Sequence, residues 1–157
     1  MTSNQLFQDD LLNSIVNPNW KNETFEKEKH KAFKEGYKKG FDAKEMAVKN
    51  FFYSNVDKAT SVAEKLFKEF NTINFKCKSL LLKPRDLRSF ELLFIVDEHI
   101  YLSDARKQVY KLIRAYKKEN NTNEFQFECH VMPESGEVNM SLILSEGFSL
   151  KYEPKSR

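Results

Sequence analysis

Glu128 and His130 lie in a stretch where Phe125, Phe127, Cys129 and Val131 alternate with Gln126, Glu128 and His130. Alternation with a period of two marks a half-buried strand, and residues two apart on a strand project from one face. A carboxylate and an imidazole held side by side can serve as an acid–base pair or as metal ligands. Asp97 ends another apolar run and would join them if the two strands lie close together. Its neighbours Glu98 and His99 do not strengthen that set, because three consecutive residues point in different directions; Asp97-Glu98-His99 reads as a polar strand-to-helix turn. Cys129 adjoins His130, but neighbours on a strand face opposite sides, which argues against a thiol–imidazole pair. Neither Cys77 nor Cys129 has a metal or redox spacing, so both read as small buried hydrophobes. With four glycines in the chain, no phosphate-cradling loop is present. No metal and no cofactor are expected.

A second group is cationic. Lys107, Lys111, Arg114 and Lys118 follow at steps of four, three and four, which places them on one face of a helix. Each phosphate neutralised by such a row releases counterions, so the row suits nucleic acid. Lys83, Arg85 and Arg88, in a turn between two strands, would extend it. No aromatic side chain is read as interleaving with the row, and none of the common nucleic-acid motifs occurs. The overall charge of +3 is too mild to demand such a partner. Its distribution is more telling: residues 104–118 carry six basic groups and one acidic, residues 120–153 six acidic and one basic.

A third group is Phe33, Gly36, Tyr37, Gly40 and Phe41. Glycine inside a helix costs about 1 kcal/mol relative to alanine. Two glycines four residues apart beside an aromatic stripe would be explained by close helix–helix approach, within the chain or with a second copy. The competing reading is that one of them ends the helix.

These residues need elements to hold them. Residues 1–22 read as an appendage with a short amphipathic helix stopped at Asn17-Pro18-Asn19, after which Trp20 begins a polar connection. Residues 23–153 read as one α+β domain, helical over 23–71 and strand-rich over 75–153, and 154–157 as a loose tail. The helical part divides into a block over 23–53 and a second helix capped by Ser54, with Asp57 completing a capping box. Phe75 to Leu82 and Ser89 to Val96 read as strands, the latter buried on both faces and therefore internal. Ser103 caps a helix ending near Lys118. After the Phe125–Val131 strand, Pro133-Glu134-Ser135-Gly136 reads as a hairpin turn. A strand carrying Val138, Met140, Leu142 and Leu144 follows, and Phe148, Leu150 and Tyr152 form a last one. The fold class is α+β: a mainly antiparallel sheet of four to five strands, helices packed on one face, and a helical N-terminal region before it.

The chain of 157 residues, 40% hydrophobic and 31% charged, suits one globular domain. Its first residues show no secretory pattern and no stretch is apolar enough to span a bilayer, so a cytoplasmic location and no membrane association are expected. The function expected is that of a non-enzymatic interaction or accessory protein, binding an unknown protein and itself as a homodimer through the residue 33–41 stripe. The alternatives are a nucleic-acid-associated protein using the basic helix face and a small acid–base or metal-dependent enzyme using Asp97, Glu128 and His130.

Overall fold

The computed structural model describes residues 19–22, 43–134 and 140–153. In chain order the elements are β1 (Trp20–Asn22), α1 (Ala43–Thr72), β2 (Cys77–Pro84), β3 (Ser89–Asp97), α2 (Glu98–Tyr101), α3 (Ala105–Asn120), β4 (Gln126–Glu134), α4 (Met140–Ser145) and β5 (Leu150–Tyr152). The strands form one sheet in the order β1-β5-β2-β3-β4. Every pairing is antiparallel except β3 with β4, which is parallel and closed by the α2–α3 crossover. The α+β class with a mainly antiparallel sheet is therefore present.

The long helices α1 and α3 share one face of the sheet. Phe52, Val56, Ala59, Ala63, Leu66 and Phe70 recur at steps of four and three and are buried against Leu80, Leu82, Phe90, Leu92 and Phe94. This stripe runs unbroken past Ser54, which is exposed in the helix interior rather than capping a second helix. Serine costs a few tenths of a kcal/mol there, far less than breaking a continuous buried stripe would. The helix stops at Asn74, whose φ of 59° is the left-handed conformation asparagine tolerates. The Phe75 N–H then donates to the Phe70 carbonyl, and the two rings meet edge-on at 5.8 Å, closing the end with an apolar contact.

Two buried polar groups fix how α1 sits. The Asn55 amide donates to the carbonyls of Leu87 and Glu124, each at 2.9 Å, tying the β2–β3 turn and the approach to β4 to one helical position. The Trp20 indole N–H donates to Thr60 Oγ at 2.6 Å, and its ring meets Tyr152 edge-on. Trp20 thus belongs to an edge strand seated on the core; it does not begin a polar connection.

The opposite face is covered in part by the segment around α4, where Ile143 and Phe148 bury Leu81, Leu93 and Ile95. Residues 140–145 are helical, against the strand read from their alternation. Both edges of β2 are already taken by β3 and β5. The outer edge of β4 is blunted: the Asn121 side chain accepts from the Phe127 N–H and donates to its carbonyl. Pro133, read as part of a hairpin turn, is instead a β4 residue. Its alternation with Phe127 turns its missing N–H to the same open side, where a proline costs no ladder bond. With these edges taken or blunted, a helix that inserts Ile143 covers the apolar face instead.

Candidate functional site

On the sheet face turned away from α1 and α3, β3 contributes Glu91, Leu93, Ile95 and Asp97. In register with them, β4 contributes Glu128, His130, Met132 and Glu134. Glu128 and His130 share this face, as their spacing requires. Asp97 lies opposite Glu134 and His130 opposite Leu93, four positions apart, which is about 13 Å along a strand. Each carboxylate of the expected triad has its own cation. Lys117 Nζ donates to Glu128 Oε2 at 2.7 Å. Lys78 Nζ bridges Asp97 at 2.9 Å and Glu134 at 2.8 Å. Lys78 reaches them because the register shifts between Cys77 and Ser79, a bulge that re-aims its side chain. The hydrogen bonds of Glu134 and Asp97 push the Lys78 ammonium pKa upward.

The partner of His130 is a residue the sequence reading passed over. His130 Nε2 stands 3.4 Å from Glu91 Oε1, and Lys83 Nζ is 3.7 Å and Arg85 4.0 Å from the same carboxylate. Glu91 is 16% exposed at its side chain while His130 is half exposed. The signal was available: Glu91 is the lone charge within Phe90–Val96, a run buried on both faces. A charge there requires partners. Glu91 is thus held by cations, with His130 as its imidazole neighbour. Both cysteines are half-buried on the helical side, and burial pushes the Cys77 thiol up to about 12 and raises that of Cys129 as well. Neither supplies a thiolate at neutral pH. Among the described residues, no group of three or more His, Cys, Asp or Glu is placed to hold a metal ion.

The basic residues divide by role. Lys83 and Arg85 serve Glu91. The Arg88 guanidinium lies 5.8 Å from the Phe51 ring and donates to the Asn123 carbonyl. They sit in and beside the β2–β3 turn, and Arg88 reaches the segment that follows α3. Lys107, Lys111, Arg114 and Lys118 are all exposed on α3, on the side opposite buried Val109 and Ile113. Among the described residues none of the four has an ion-pair partner, whereas Lys117 on the flank of the row does. The helix rises about 1.5 Å per residue, so the row extends roughly 16 Å.

The expectation that no aromatic interleaves with this row is overturned. Tyr110 is 37% exposed, three residues after Lys107 and four before Arg114, hence their neighbour on the helix surface. The Arg106 guanidinium lies 4.9 Å from the centre of the Tyr101 ring, in the preceding turn. Partial burial, then the hydroxyl of Tyr101, raise the Tyr110 pKa. The period rule that selects the core stripe assigned Tyr110 to neither face, because it lies on the flank.

Phe33, Gly36, Tyr37, Gly40 and Phe41 lie outside the described residues. Among the described residues, no helix is long and apolar enough to cross a membrane. Comparison with known proteins finds no matching family, no matching characterised protein and no matching solved structure.

Proposed function

We propose that the protein is a non-enzymatic binding protein whose partner is nucleic acid, engaged through the exposed face of α3. The observation that carries this reading is the unpaired row Lys107, Lys111, Arg114 and Lys118. On β2, β3 and β4 the charges are neutralised in pairs and networks: Lys78 with Asp97 and Glu134, Lys83 and Arg85 with Glu91, Lys117 with Glu128. Four like charges left without counter-charges on one ordered helix repel one another, and that repulsion is relieved by a polyanion. The helix is anchored by Val109 and Ile113, so the row is presented on a rigid base.

The acid–base reading has less support. Asp97 and Glu128 are each committed to a lysine, and the carboxylate that His130 meets is Glu91. Self-association through the Phe33–Tyr37–Phe41 stripe is a separate part of the proposal, tested by molar mass in solution. The nucleic-acid reading is tested by reversing Lys107, Lys111 and Arg114 together to glutamate. The variant should keep the wild-type circular dichroism spectrum and lose binding to labelled oligonucleotides at 50 mM salt. Unchanged binding would end the reading.

A further inference from the structure

We infer that Tyr110, with the Tyr101–Arg106 stack behind it, forms a base-stacking platform beside the cationic row, so that the nucleic acid bound is single-stranded. This inference rests on the reading of α3 as the nucleic-acid face and narrows it to a substrate class.

Three observations converge at the start of α3. Tyr110 is exposed between Lys107 and Arg114 on the helix surface, so a backbone lying along the row brings its bases over this ring. Arg106 already stacks its guanidinium on Tyr101 at 4.9 Å, which presents a second flat, cationic surface one turn earlier. Leu102, in the connection just before α3, is 67% exposed. The acidic residues of this element, Asp104 and Glu119, stand at its two ends, and Glu128 near its flank is neutralised by Lys117.

The chemistry selects among nucleic acids. A duplex offers α3 its phosphates but keeps its base faces stacked within the helix. A single strand offers both, and base–aromatic stacking is sequence-tolerant because every base has a π-face. The flat faces of an exposed tyrosine and of an arginine–tyrosine stack go unused on a purely phosphate-directed surface. They add affinity only where bases are free, as oligonucleotide-binding surfaces that pair a basic track with aromatic rings show.

The test uses the full chain and three fluorescent probes of matched charge: a 24-nucleotide oligo-dT strand, a 12-base-pair duplex and inorganic polyphosphate of similar total charge. Wild type should bind the single strand at least tenfold more tightly than the polyphosphate. Tyr110→Ala should lose about tenfold in single-strand affinity while polyphosphate binding stays unchanged, and Tyr110→Phe should restore the loss. Tyr110 is a surface residue, and an unaltered circular dichroism spectrum establishes that the fold is kept. Equal binding of all three probes with no effect of Tyr110→Ala would overturn the platform and leave the cationic face standing. Duplex preferred over the single strand would overturn it also. No binding of any probe at 50 mM salt would overturn the underlying reading and this inference with it.

Discussion

Replacing Asn55 by alanine removes one side-chain amide and strands two carbonyls. Asn55 is 1% exposed, and its amide makes 2.9 Å hydrogen bonds to Leu87 and Glu124. Two neutral hydrogen bonds are worth about 1 kcal/mol each, and each carbonyl left buried without a partner adds a desolvation cost of about 1–3 kcal/mol when water cannot reach it. The two carbonyls belong to turns that can relax toward solvent, which relieves about half of even the low-end desolvation cost, so we predict a loss of about 3 kcal/mol. For a chain of this size that is about 6–12 °C in melting temperature. Urea unfolding followed by tryptophan fluorescence and far-ultraviolet circular dichroism should show the lower midpoint with an unchanged slope. Asn55→Asp sharpens the prediction. An ionised carboxylate facing two carbonyls must be disfavoured, so its folded pKa rises above the unfolded value. Its protonated form is the one the fold prefers, so the variant should be more stable at acid pH and lose stability as pH rises through the folded pKa. An Asn55→Ala change within 0.5 kcal/mol of wild type would refute the claim that this residue clamps the two turns to α1.

Three further outcomes follow from the same structure. Asn121→Ala combined with Pro133→Val frees the outer edge of β4, and the variant should self-associate more than wild type as concentration rises, by light scattering; equal mass distributions would show that these residues do not guard the edge. Cys77 and Cys129, whose thiols are raised by burial, should react with Ellman's reagent at pH 8 at least tenfold more slowly in native than in urea-unfolded protein, and comparable rates would contradict their burial. Tyr116 donates to Glu69 at 2.8 Å, and burial, then that bond, hold its hydroxyl up at about 12. A folded pKa above the ordinary tyrosine value stabilises the protein below that value and is lost as pH rises. Tyr116→Phe should therefore reduce the fall in stability between pH 10 and 12, read by denaturation at several pH values; an identical fall in both proteins would remove the coupling.

The parts of the fold legible in the sequence are those where one periodicity dominates. The stripe from Phe52 to Phe70 marks α1, the doubly apolar run of β3 marks an internal strand, and the alternation from Phe125 marks β4. Boundaries and small elements were less legible because tertiary demands decide them. Ser54 has a cap's chemistry but sits where the buried stripe continues. Residues 138–144 alternate like a strand, yet the uncovered Leu81–Leu93–Ile95 face draws Ile143 and Phe148 onto it instead. Trp20 looked polar in context because Tyr152 and Thr60, its partners, are distant in sequence. The same distance hid the site chemistry. Glu91 and His130 meet only because β3 and β4 are parallel neighbours, a pairing no local pattern encodes. The cationic row was legible because its four residues share one helix.

The most direct test of the account is the salt dependence of oligo-dT binding. Four phosphate contacts from Lys107, Lys111, Arg114 and Lys118 predict a slope of about −2.8 for log affinity against log salt, a loss of roughly 50-fold between 50 and 200 mM. With Lys107, Lys111 and Arg114 reversed to glutamate, binding should vanish or keep a slope no steeper than about −0.7. A wild-type affinity that does not change with salt, or a variant that retains the wild-type slope, would contradict the assignment of α3 as the binding face.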